Sequence, residues 1–88
     1  MLIRRLRDGD DRTRQMAAVG LGYAEHNDAV DALLGALTDR VAAVRAAATW
    51  ALGEIEDERA VDALTRLLAE DSDPMVRRQA AWALGNMY

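Results

Sequence analysis

The chain has 88 residues, a net charge of −4, 18 alanines, one proline, and no lysine, cysteine or phenylalanine. That length gives one domain near the low end for an independent hydrophobic core. The missing cysteine excludes a disulfide framework, a thiol nucleophile and a thiolate-bound metal, and no apolar run approaches a membrane span.

Charge is uneven along the chain. Residues 1–14 carry five arginines and three aspartates, a balance of +2, whereas residues 15–88 carry six arginines and twelve acids, a balance of −6. The Arg4-Arg5-Arg7-Arg12 cluster is the one place that favours an anion. A solvated helix face explains it more simply, and the acidic remainder makes nucleic acid an unfavoured partner, because phosphate neutralisation needs a basic face.

Leu2, Ile3 and Leu6 open the chain with the apolar spacing of a short helix over residues 1–8. The next segment, 9–39, holds Thr13-Arg14, Gly20-Leu21-Gly22 and then Ala29-Val30-Asp31-Ala32-Leu33 behind the polar pair Asn27-Asp28. Gly20-Leu21-Gly22 follows no strand and lacks the full spacing of a nucleotide loop. In segment 40–71, Val44, Ala48, Ala51, Leu52 and Ile55 mark one face of a helix over about 41–55, termed A. A B helix over about 59–69 follows, with Val61, Leu64, Leu67 and Leu68 on its apolar side and Asp57-Glu58 at its start. Segment 72–88 is a final A helix, Val76 to Met87, opened by Asp73 as cap and Pro74 at the first helical position.

These segments are copies of one unit. Trp50-Ala51-Leu52-Gly53 returns as Trp82-Ala83-Leu84-Gly85, and Ala29-Val30-Asp31-Ala32-Leu33 as Ala60-Val61-Asp62-Ala63-Leu64. Arg14, Arg45 and Arg77 are 31 and 32 residues apart, as are Gly22, Gly53 and Gly85. Such a period predicts an all-α solenoid, in which each unit buries its apolar face against its neighbours. Connections of three or four residues between A and B force antiparallel hairpins. The glycines near the A-helix ends are expected to permit close backbone approach or to loosen the last turn.

The period is near that of several repeat families. The Thr-Pro-Leu-His turn of ankyrin repeats is absent, and Trp50 lies two residues before Leu52-Gly53 rather than the three of a tetratricopeptide repeat. The pattern Val44-Arg45, Ala48, Ala51-Leu52-Gly53, Ile55, Asp57-Glu58-Arg59-Ala60-Val61, Leu64, Leu67-Leu68 resembles the HEAT-like repeats of the phycobilisome lyase (PBS lyase) type. It is also similar to the consensus of artificial alpha-helical repeat proteins. The resemblance covers nearly all of residues 1–88 and implies a right-handed alpha-alpha solenoid of stacked antiparallel hairpins. It further implies a concave surface lined by A helices, whose variable positions flank Val-Arg and precede Ala-Leu-Gly. Carried over, these are Gln15, Met16, Val19 and Tyr23, then Ala46, Ala47, Trp50 and Glu54, then Arg78, Gln79, Trp82 and Asn86. The first unit departs from the pattern with Thr13, Gly20 and Ala24 at positions read as core, so its A helix is expected to be the loosest.

The helical wheel reaches the same surface independently. At about 100° per residue, Trp50 sits about 200° from Ala48 and Leu52, away from the core stripe. Val19, Trp50 and Trp82 share one repeat position, so they predict an apolar row across adjacent helices. That row either fills gaps over alanine-rich neighbours or anchors a partner, and the two are compatible. Arg14, Arg45 and Arg77 predict a structural ladder, each guanidinium reaching acids in the inter-repeat loops. His26 and Ser72 are the only residues of their types and make no metal or triad constellation by spacing.

The expected function is a non-catalytic scaffold that binds a protein or peptide on the concave A-helix surface, without cofactor. The alternative implied by the resemblance is an accessory or carrier subunit related to bilin (phycocyanobilin) lyases. The lack of an apolar export segment favours the cytoplasm. A leading B-type helix and a closing A-type helix predict a chain that self-associates through open ends or belongs to a longer array.

Overall fold

The computed structural model describes residues 2–24 and 27–88, and His26 lies outside them. Six α-helices, α1 (Leu2–Asp8), α2 (Asp11–Ala24), α3 (Val30–Ala36), α4 (Ala42–Ile55), α5 (Val61–Glu70) and α6 (Pro74–Met87), alternate in two layers. Helices α2, α4 and α6 pack side by side, while α1, α3 and α5 lie on α2, α4 and α6 respectively. No strand occurs among the described residues. The architecture is an α-α solenoid, 30 × 25 × 16 Å.

Local sequence sets the helix ends. The Asp73 carboxylate accepts from the Met75 N–H at 2.8 Å, with Pro74 at the first position. The Asp10 carboxylate does the same for the Thr13 N–H at 2.8 Å. Before α5, Asp57 accepts from the Arg59 N–H at 2.9 Å and starts a single 3-10 turn, Glu58–Ala60. The same turn precedes α3 at Asn27–Ala29. Helix α4 ends where Glu56 turns left-handed, φ 59°, and its N–H bonds to Leu52 at 2.9 Å.

The core lies between the layers. Leu33, Leu52, Leu64, Val30, Val44 and Val76 are fully buried, with Ala18, Ala48, Ala51, Ala80 and Ala83 beside them. Thr49 is also fully buried, and its hydroxyl donates to the Arg45 carbonyl at 2.7 Å, so no polar atom is stranded.

Adjacent inner helices touch through glycine. A Cβ on Gly22 would lie 2.6 Å from Trp50 Cζ3 and 2.8 Å from Ala51 Cα. One on Gly53 would lie 2.8 Å from Trp82 Cζ3 and 3.0 Å from Ala83 Cα. Each tryptophan therefore rests its ring edge on the glycine of the preceding inner helix. Gly85, in the same register, has nothing within 4 Å of that position. Close approach, rather than a loosened last turn, explains Gly22 and Gly53.

Arginine–aspartate clamps join successive layers. Arg14 Nε and Nη2 donate to Asp39 at 2.7 and 3.1 Å, Nη2 also to Asp11 at 3.0 Å, and Nη1 to the Gly9 carbonyl at 2.9 Å. One unit on, Arg45 Nε and Nη2 donate to Asp71 at 2.9 and 3.2 Å, and Nη1 donates to the Asp39 carbonyl at 2.8 Å. Arg77 Nη1 donates to the Asp71 carbonyl at 2.6 Å. The two aspartates also hold the next helix start, accepting from Val41 N–H and Asp73 N–H at 2.9 Å each. The Arg14 hydrogen bonds hold the Asp39 carboxyl below the usual carboxylate range. Burial pushes the Asp71 carboxyl up, but bonds from Arg45 and the Asp73 N–H outweigh it and the net direction is down.

The first unit buries less than the others at the positions read as core. Thr13 is half-buried where Val44 and Val76 are fully buried, and Gly20 is partly covered by Leu2. Ala24 is exposed, whereas its counterparts Ile55 and Met87 are half-buried against the core, so the smaller residue forgoes that contact. With fewer buried contacts at Thr13 and Gly20, amides of α2 are expected to exchange faster than those of α4, measured by native-state hydrogen exchange.

Two further outcomes follow from the packing. Gly53→Ala forces Ala83 and Trp82 to shift and should cost about 1–3 kcal/mol, whereas Gly85→Ala should be neutral or stabilise by up to about 1 kcal/mol through helix propensity. Thermal unfolding by circular dichroism separates the two, since about 1 kcal/mol moves Tm by about 4–8 °C in a domain of this size. For the clamps, the unfolded carboxylates titrate near about 3.9, above their folded values, so the unfolded chain binds more protons in acid. The stabilisation is complete above that unfolded value and is lost as pH falls through the folded ones. Tm is therefore expected to hold near neutrality and drop below about pH 4. Asp39→Asn should lower Tm at pH 7 and flatten that acid limb.

Candidate functional site

The inner helices α2, α4 and α6 present one continuous face, and a shallow trough of about 450 Å³ runs across it. Its floor is Ala42, Ala43, Ala46 and Ala47 on α4. Gln15 and Val19 on α2 form one wall, Trp50 closes one end, and Met75 and Gln79 on α6 with Asp73 form the other wall. The short alanines explain the depth, because α4 carries no long side chain over this turn. The Asp73 Oδ1 accepts from the Met75 N–H, and this carboxylate joins the Gln15 and Gln79 amides as the polar groups of the walls.

The structure brings Val19, Trp50 and Gln79 together at this trough, along with Gln15, Ala46 and Ala47. Met16 is 62% exposed and lies on an adjoining groove with Asp11, Arg12, Gln15 and Val41. Tyr23 is 76% exposed and meets Trp50 edge-on, ring centroids 5.0 Å apart at 62°. Trp82 stays 40% exposed beside Gly53, and the Asn86 amide reaches back to the Gly53 carbonyl at 3.4 Å. Glu54 is half-buried and Arg78 is exposed, and neither lines the trough. Trp50 thus combines two roles at one position, packing on Gly22 and Tyr23 while keeping part of its ring on the trough.

Arg14, Arg45 and Arg77 do not line the trough, and their Nη1 atoms are spent on loop carbonyls. Ala42, Ala43, Met75 and the capping Asp73 line the trough outside the surface positions that the repeat predicts. Met75 precedes Val76-Arg77 as Ala43 precedes Val44-Arg45, on the other side of the pair from the expected positions, so the shared register could have found both. Among the described residues, no group of three His, Cys, Asp or Glu side chains is placed to hold a metal ion, and no helix is long and apolar enough to cross a membrane. What the surface offers chemically is an apolar, alanine-floored cleft with amide walls and partly exposed aromatic rings, suited to holding apolar side chains.

Among curated proteins, deoxyhypusine hydroxylase-B of Oryza sativa subsp. japonica is 39% identical over 70 residues, covering 74% of this chain and 23% of the relative. The chain therefore spans about a quarter of the length of the relative it matches. The family model for HEAT repeats matches residues 1–85, almost the whole of the stacked architecture described above. With its period, paired helix layers and repeated clamps, this chain belongs to the HEAT-repeat family.

Proposed function

We propose that the protein is a non-catalytic scaffold, acting in the cytoplasm, that binds a protein or peptide segment along the trough across α2, α4 and α6. The observation that carries this reading is the trough itself: an alanine floor between Val19, Trp50 and Met75, spanning three successive units. An apolar side chain seated there is desolvated on several sides, which is where binding energy concentrates. Rings already fixed against Gly22 and Tyr23 lose little further freedom when a partner arrives. HEAT repeats commonly mediate protein interactions, which agrees with this use of the surface.

Two other functions have less support. The rice relative's name carries a hydroxylase activity, but the matched stretch is 23% of that protein, and we carry no catalysis over to this chain. A bilin carrier of the lyase type would find no cysteine here for a covalent tetrapyrrole link.

Selection from a random peptide library displayed on phage tests the proposal. Enriched peptides are expected to bind the wild-type chain and to lose about tenfold or more in affinity to Ala46→Glu and to Met75→Glu, a change of about 1.4 kcal/mol. Met75 is 60% exposed, so its variant should keep native helicity. Peptides that bind both variants as tightly as wild type would place recognition elsewhere and overturn the reading.

A further inference from the structure

Of the residues that line the trough, Asp73 alone carries a formal charge. It is half-buried, and its Oδ1 accepts from the Met75 N–H at 2.8 Å. Among the described residues its Oδ2 accepts from no donor, and no cation pairs with the carboxylate. The Gln15 and Gln79 amides on the facing walls have no hydrogen-bond partner among the described residues either.

The cations of the surrounding elements are engaged or stand outside the trough. Arg14 holds Asp39 and Asp11, Arg45 holds Asp71 and the Asp39 carbonyl, and Arg77 holds the Asp71 carbonyl. Arg40 reaches Asp11 at 3.9 Å. Arg12 lines the adjoining groove beside Asp11, and Arg78 is exposed without lining the trough. An apolar segment seated on the alanine floor therefore strips water from a carboxylate that has no counter-charge. That desolvation costs binding energy unless the segment brings a donor, and a cationic donor offsets it best. A carboxylate on the segment adds repulsion instead.

We propose that the trough selects a peptide segment in which an apolar residue on the alanine floor is accompanied by a lysine or arginine that donates to Asp73. The inference rests on the trough as the binding surface and names the chemistry of its occupant. Met75, 60% exposed, and Asp73 belong to one wall. The methylene stem of the partner's cation packs along the Met75 thioether while its charged head reaches Asp73 Oδ2. The Gln15 and Gln79 amides, each with donors and an acceptor, remain for the peptide groups of the segment.

Peptides selected on the wild-type chain are expected to be enriched in Lys and Arg, and depleted in Asp and Glu, beside their apolar residue. Affinities measured by fluorescence anisotropy at low and high salt then test the contact. Asp73→Asn retains a good capping residue, so helicity and Tm should stay close to wild type. Its affinity should fall about threefold or more, and the salt dependence of binding should shrink. Replacing the peptide's cation by norleucine should cost the same on wild type and little further on Asp73→Asn, a coupling that a double-mutant cycle isolates from any structural effect. Ala46→Gln fills the floor without changing the charge and should weaken binding about tenfold or more. Peptides that lose affinity to Ala46→Gln but show no preference for cations, or bind Asp73→Asn as tightly as wild type, overturn this inference and leave the trough as the binding surface. Peptides indifferent to Ala46→Gln overturn both.

Discussion

The clamp between an inner-helix arginine and the aspartate that closes the following outer helix governs how the layers meet. Its bidentate fork fixes distance and angle together, and the same aspartate accepts from the Val41 N–H just before the next inner helix. A part-buried ion pair adds little net stability over an apolar pair, but removing one partner leaves the other without its counter-charge. The clamp therefore acts chiefly on register. In the layers that Arg14–Asp39 and Arg45–Asp71 join, Trp50 and Trp82 rest on Gly22 and Gly53.

Close approach at glycine and shallow relief at alanine are linked. Inner helices that approach through Gly22–Ala51 and Gly53–Ala83 leave no room for larger residues at the contact. The same small-residue composition on α4, where Ala42, Ala43 and Ala46 are more open than the buried Ala47 beside them, leaves the trough. Packing thus creates the candidate binding surface as a by-product of stacking, with Trp50 serving both. Because each unit contacts only its neighbours, a weakness in one layer stays local.

Much of this was legible in the residues. The period of 31 and 32 determined an all-α stack, since a hairpin with one apolar face has no other way to bury it. Capping chemistry at Asp57 and at Asp73-Pro74 located two helix starts, because those side chains act on backbone N–H groups two residues away. The recurrence of Arg14, Arg45 and Arg77 marked the ladder, and a shared repeat position marked Val19, Trp50 and Trp82 as one row.

Tertiary structure decided what depends on distance between units. Only the packing showed that Trp50 and Trp82 lie on the glycines of the preceding helix, which makes them inter-layer residues as well as surface ones. It left Ala24 exposed and its counterparts Ile55 and Met87 half-buried, because a helical wheel gives a direction but not the distance to the next layer. It also separated Gly85 from Gly22 and Gly53, which share its sequence pattern: a position's burial is set by whether a neighbouring layer covers it. Sequence by itself determined the unit and its repetition, which are local and periodic. The depth of the trough and the contact of each tryptophan with a glycine came only from the stacked layers, since they are properties of surfaces between units.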